Sequence, residues 1–175
     1  MDQIICDALR ETSGAQIALS PGFRFGTTVL AGAPIVMEDL LTETAITYPQ
    51  TYVTDMMGGQ IKDILEDIAD NLFNPDPYYQ QGGDMVRVGG MDYTCAPAER
   101  IGRRISDMTL NDGTAVEAGK RYRVAGWASV NPQTGKPVMD VVADYLRAKK
   151  VVKLTRPNRV ALRGVAGNPG YAEEG

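Results

Sequence analysis

Gly58-Gly59-Gln60-Ile61-Lys62-Asp63-Ile64-Leu65-Glu66-Asp67-Ile68-Ala69-Asp70-Asn71-Leu72 is the stretch on which the reading of this chain turns. Ile61, Ile64, Leu65, Ile68 and Leu72 recur at helical spacing, and Lys62, Asp63, Glu66, Asp67 and Asp70 fall on the opposite side. The pattern predicts an amphipathic helix over Gln60–Leu72, opened by the glycine pair. Such a helix must bury its apolar stripe against another layer, so the segments around it are read for what that layer is. Directly upstream, Tyr48-Pro49-Gln50 breaks the chain before a strand at Thr51–Met57. Earlier still, Asp2 can cap a helix to about Thr12 with Gly14 as its stop. Gln16–Leu19 then reads as a short strand, the Pro/Gly-punctuated loop Ser20-Pro21-Gly22-Phe23-Arg24-Phe25-Gly26 follows, and Val36–Ala45 forms a second helix.

Downstream, Asn74–Gly83 is a turn-rich loop, with strands expected at Met85–Val88, Met91–Cys95 and Ile105–Leu110. Asn111-Asp112-Gly113 is a hairpin-turn signal ahead of a strand at Tyr122–Ala128. Pro137–Lys149 repeats the helical spacing, with Val138, Val141, Val142, Tyr145 and Leu146 facing inward. Val151–Leu154 and Val160–Leu162 read as short strands in a less ordered end. The expectation is an α+β fold, a mixed sheet flanked by helices, with one domain over 1–165 and a flexible tail over 166–175.

Composition limits the chemistry. The 175 residues contain no histidine, which removes the commonest neutral-pH base and the commonest transition-metal ligand. Ser-His-Asp and Cys-His arrangements are thereby excluded. Cys6 and Cys95 are the only cysteines, with no CxxC spacing, and two buried free thiols are expected ahead of a disulfide. The 22 acidic residues are scattered, with no D-x-D-x-D-G loop. A hydrophobic fraction of 43% and a charged fraction of 23% argue for a packed globular domain. Net charge is −4, so broad attraction to nucleic acid is not expected. No apolar run reaches the roughly 20 residues of a membrane span. The chain is expected to hold a ligand without itself running a hydrolytic reaction.

The loop around Arg24 is the main candidate for that holding. A guanidinium on a rigid Pro/Gly loop, flanked by Phe23 and Phe25, presents a planar fork of donors to an oxyanion, and Gly22 lets backbone N–H groups come close. The competing reading is a solvated turn arginine. Tyr48, beside Pro49 at a strand entrance, can stack on a ligand, against a plainer reading as core or rim packing. Gly82-Gly83-Asp84 and Gly89-Gly90 match neither G-x-G-x-x-G nor a P-loop and read as turns. Arg100, Arg103 and Arg104 form a small basic cluster expected to be solvated, and Trp127 is expected in the core.

Taken in order, these segments resemble the C-terminal domain of the 5'-nucleotidase family. Asp2-Gln3-Ile4-Ile5-Cys6-Asp7-Ala8-Leu9-Arg10 is similar to that family's "N-x-I-x-D-A-x-R" helix, and Ser20–Arg24 stands where it has "N-G-G-G-I-R". Gly58–Glu66 resembles "G-x-x-[IL]-x-x-x-L-E", Arg87–Tyr93 resembles "Q-V-G-G-x-x-Y", Ile101–Ile105 resembles "P-G-x-R-V", and Tyr122–Ala125 resembles "Y-x-V-A". The resemblances are collinear from residue 2 to about 150.

Within the family, Ser20–Gly26, Gly82–Gly90 and Gly164–Gly170 resemble the branch of sulfate thiohydrolases of bacterial sulfur oxidation. That resemblance implies a periplasmic enzyme with two manganese ions in an N-terminal metallophosphoesterase domain, and no cofactor in the domain read here. The reaction implied is release of sulfate from a cysteine-bound thiosulfonate on the SoxYZ carrier protein. It places Arg24, with Phe23 and Gly22, at the oxyanion site and Tyr48 at the position of a base-stacking aromatic. The second stacking aromatic of nucleotidases falls in Ala128–Lys136, where no Phe or Tyr occurs. Two other readings stay open: a domain of a periplasmic 5'-nucleotidase or cyclic-nucleotide phosphodiesterase, and a non-catalytic anion- or partner-binding module.

Overall fold

The structure, a computed structural model, describes residues 1–22, 28–154 and 156–168. Its element order is α1 (Asp2–Ser13), β1 (Ile17–Ser20), α2 (Met37–Thr44), β2 (Thr51–Met57), α3 (Gly58–Phe73), β3 (Arg87–Gly89), β4 (Met91–Cys95), β5 (Ile105–Leu110), β6 (Arg121–Trp127), α4 (Val138–Lys149) and β7 (Val160–Leu162), with a 3-10 turn at Pro77–Tyr79. The strands make two mixed sheets, β2-β6-β1-β3 and β5-β4-β7.

The four-stranded sheet is the middle layer. Along β1, Ile17 and Leu19 point to one face and Ala18 to the other, as a two-residue period requires. On the Ala18 side, Ile4, Ile5, Ala8 and Leu9 of α1, Leu40 of α2, and Val138, Val142 and Tyr145 of α4 close one core. On the Ile17 side, Ile61, Leu65 and Ala69 of α3 meet Met91, Tyr93 and Ile105 of the second sheet and Tyr122 and Val124 of β6. A strand covered on both faces has no solvent side, so Ile17-Ala18-Leu19 is a continuous apolar run and β1 is buried throughout.

Helix boundaries have local causes. Gly14 takes the left-handed conformation at φ 66 and its N–H returns to the Arg10 carbonyl, ending α1 where the sequence suggests. Asp39 accepts from the Val36 N–H at 2.8 Å at the start of α2. Helix α3 starts at Gly58, two residues earlier than expected. The Gly58 and Gly59 N–H groups bond the carbonyls of Lys120 and Ala118, so the pair is inside the helix and not a linker before it.

Four expectations are corrected. Glu66, placed on the polar face of α3 by spacing, is 3% exposed. Its carboxylate accepts from the N–H groups of Gly102 (2.8 Å), Arg104 (3.2 Å) and Ile105 (2.8 Å) and from Lys62 Nζ (2.7 Å), a set of donors that offsets its desolvation. Arg104, expected in solvent, is 1% exposed. It donates to Asp70 Oδ1 at 2.6 Å and to the Phe73 carbonyl at 3.3 Å, holding the C-terminal end of α3. The Asn111-Asp112-Gly113 turn does not join β5 to β6. It closes a single bridge, Thr109↔Ala115, and the chain then crosses to the other sheet, where β6 finds β1 and β2. Val151–Leu154 forms no strand, whereas β7 forms as expected, parallel to β4 from Tyr93↔Val160 to Cys95↔Leu162.

Asn158 ties this last segment in. Its side chain donates to Asp92 Oδ1 and Asn111 Oδ1 and accepts from the Gly90 N–H, while its own N–H donates to Gln3 Oε1. Of the expected tail, only 166–168 are among the described residues.

Candidate functional site

Strand direction alone gathers the candidate residues. β1 and β6 are parallel, so their C-terminal ends, Ser20 and Trp127, lie side by side. β2 and β3 run antiparallel to them and therefore begin at the same edge, with Thr51 opposite Trp127 and Arg87 opposite Ser20. The short turn after α1 sends that helix back along the sheet, which returns Asp2 to this edge beside Arg87. The first turn of α4 arrives there too, with the Val138 N–H on the Pro49 carbonyl. Six chain segments separated in sequence thus meet at one rim.

The floor of the rim is rigid. Trp127 Nε1 donates to Ser20 Oγ at 2.9 Å, and both residues are buried. This confirms Trp127 as core, and it clamps the two strand ends from which the flanking loops depart.

Of the oxyanion-site candidates Gly22, Phe23 and Arg24, Gly22 is the one among the described residues. Its carbonyl accepts from Arg87 Nη2 at 3.3 Å, while Arg87 Nη1 donates to the Met85 carbonyl and Nε to Asp2 Oδ2, both at 2.9 Å. A Cβ on Gly22 would sit 2.5 Å from the Met85 carbonyl oxygen and 2.8 Å from Arg87 Cζ. Glycine is needed at this position because the β3 approach leaves no room for a side chain. Gly22→Ala is expected to cost about 1–3 kcal/mol, as other overpacking substitutions do. A midpoint shift in urea denaturation with unchanged slope measures it, and wild-type stability would contradict the packing. Phe23 and Arg24 lie outside the described residues.

Tyr48 lies three residues before β2, and β2 itself is two strand spacings from β1, or about 10 Å. It is 44% exposed, so its ring lies open at the rim and is not packed into the core. Between these two positions runs the 128–136 segment. It is pinned by Thr51, whose N–H and hydroxyl both donate to the Lys136 carbonyl, and by Gln133 and the Asn131 N–H donating to Ser129 Oγ. Tyr48 therefore offers an exposed ring, and the braced 128–136 segment contains no aromatic residue.

Among the described residues no proton-transfer group is built here. Burial pushes the Cys6 thiol up to about 12, helped by nearby Asp2 and Asp7, and burial likewise raises Cys95; both are free, protonated and inert as nucleophiles near neutrality. Among the described residues no three Cys, Asp or Glu side chains converge as a metal site. The arrangement can hold and orient a ligand. Arg87 is the residue that sequence reasoning missed, since its link to Gly22 follows from the Ser20↔Arg87 register, which no local pattern announces.

With that geometry in hand, the likenesses to known proteins are these. Residues 1–144 match the family described as 5'-nucleotidase, C-terminal domain. The sulfate thiohydrolase SoxB of Thermus thermophilus is 34% identical over 93% of this chain, with a TM-score of 0.83. A 5'-nucleotidase precursor from Thermus thermophilus superposes at TM-score 0.69 and 19% identity over 93% of the chain, and the NAD nucleotidase of Haemophilus influenzae at 0.73 and 15% over 93%. The last two share the fold alone at that identity. The chain spans about a third of each of these proteins, namely 32%, 35% and 32% of their lengths. No curated protein shows significant sequence similarity to it.

Proposed function

The chain belongs to the family of 5'-nucleotidase C-terminal domains, and on that premise we propose that it is the substrate-holding domain of a sulfate thiohydrolase that releases sulfate from a cysteine S-thiosulfonate. The carrier of that cysteine would be a SoxYZ-type protein, and the setting the periplasm. Two manganese ions would belong to a separate metallophosphoesterase-type domain of the full-length protein. When bound there, such ions generate the nucleophile and neutralise charge on the transferred group. This chain's part is positioning: Arg24, at the position of the family's anion-binding arginine, would grip the sulfonate with its guanidinium fork.

The observation that carries the reading is the lack of an aromatic residue in 128–136. A nucleobase is held by stacking on both faces, and here Tyr48 has no aromatic counterpart in the pinned 128–136 loop. A peptide arm ending in a small sulfur group needs no such clamp. The identity of 34% to a sulfate thiohydrolase supports the same choice. The second reading, a nucleotidase, has one observation in its favour, the open ring of Tyr48 at 44% exposure.

The two separate in one assay. Full-length protein loaded with manganese is given the SoxYZ carrier bearing cysteine S-thiosulfonate, and separately AMP. Sulfate release with no phosphate release is the expected result. Phosphate from AMP without sulfate from the carrier would replace the thiohydrolase reading with the nucleotidase one.

A further inference from the structure

One side chain at the rim reaches further than its strand needs. The ladder between β1 and β3 closes at Ser20↔Arg87, yet the Arg87 guanidinium continues past it to oxygens on three segments. Nε donates to Asp2 Oδ2 and Nη1 to the Met85 carbonyl, both at 2.9 Å, and Nη2 donates to the Gly22 carbonyl at 3.3 Å. Three acceptors around one planar fork fix its orientation, which the single ammonium of a lysine could not reproduce. Asp2 sits against the guanidinium as its counter-ion, so what Arg87 gives the rim is chiefly geometry.

The chain is held from both sides just where it leaves β1. Trp127 Nε1 holds Ser20 Oγ from β6. Arg87 holds the Gly22 carbonyl from β3, and Pro21 between them restricts φ. There is no slack in this contact, since a Cβ on Gly22 would lie 2.8 Å from Arg87 Nη1. Arg24 follows two residues later. A firm base of this kind is what a preorganised donor requires, because a misplacement of about 1 Å can cost roughly 10²-fold in rate.

We propose that Arg87 is a positioning residue, fixing the backbone from which Arg24 departs and so aiming the Arg24 guanidinium at the oxyanion. It acts through Gly22 and not on the substrate. The inference rests on the reading of Arg24 as the residue that grips the anion, and adds to it the group that sets its direction.

A double-mutant cycle tests it, in the full-length, manganese-loaded protein and on whichever of the carrier and AMP that protein turns over. Arg87→Lys keeps a cation beside Asp2 but loses the fork. It is expected to lower kcat about 10–100-fold with KM much less affected and metal content unchanged. Added to Arg24→Ala, the same substitution should cost nothing further, within about twofold, whereas independent sites would multiply their losses. Asp2→Asn, which weakens one prong of the fork, should give a smaller loss with the same dependence on Arg24, and it serves if Arg87→Lys does not fold. Multiplied losses in the double variant, a loss confined to KM, or wild-type turnover in Arg87→Lys would each overturn the positioning role while leaving Arg24 at the anion. Wild-type turnover in Arg24→Ala would instead remove the reading beneath it, and the positioning role as well.

Discussion

Arg24→Ala in the full-length, manganese-loaded protein is expected to lower kcat/KM about 10²–10³-fold while leaving metal content and melting temperature unchanged. The size is that of removing one charge-stabilising donor from an oxyanion whose charge is being redistributed. Metal content is unaffected because the metals would sit on another domain. Arg24→Lys should recover part of the loss, since it restores charge without the two-pronged geometry that fits a tetrahedral oxyanion. Turnover unchanged in Arg24→Ala would remove the residue from the reaction and the thiohydrolase reading with it.

The second large effect is on stability. Glu66→Ala strips the acceptor from three backbone N–H groups at Gly102, Arg104 and Ile105 and from Lys62. Leaving several donors unpaired in a buried place costs on the order of 3–4 kcal/mol. That is a large share of a domain's net stability, and a urea midpoint reads it directly. Glu66→Gln keeps the shape and one acceptor oxygen, so its loss should be smaller.

The pH dependence separates charge from shape. Burial opposes ionisation of Glu66, but Lys62 and the Ile105 and Gly102 N–H groups together hold its carboxyl below the ordinary value of 4.5. A depressed folded pKa gives stability that is complete above about pH 4.5 and is lost as pH falls through the folded value. Glu66→Gln should flatten that part of the acid profile. An unaltered acid slope would show that Glu66 does not supply it.

Much of the layering was legible from residue pattern. The α3 stripe, the Gly14 stop and the strand limits at Thr51–Met57, Met91–Cys95 and Ile105–Leu110 all follow from local spacing, which is where sequence carries the most information. What failed was non-local. Glu66 and Arg104 look like surface charges because spacing reports a helix face, not which loop will fold over it. The segment 96–105 crosses the end of α3 and supplies the N–H groups and carbonyl that make burial of both charges affordable. The turn at 111–113 was recognised as a turn, but its sheet partner was decided by the apolar demand of β1 for a neighbour on each side. At the site, Gly22 was singled out for ligand access. The structure gives a second reason, the closeness of Met85 and Arg87, that exists only once β1 and β3 are in register.

The clamp between Ser20 and Trp127 has a consequence for synthesis. The two residues are 107 positions apart, and β1, buried along its whole length, has only β3 and β6 as neighbours. As the chain leaves the ribosome, β1 emerges early with α1 to shelter one face and no strand to pair with until much later. Folding is therefore dominated by distant contacts, which makes it slow and leaves a sticky strand in waiting. A nascent chain stalled before residue 121 should be held by chaperones and cleaved readily by protease, and one released with β6 and α4 both complete should resist.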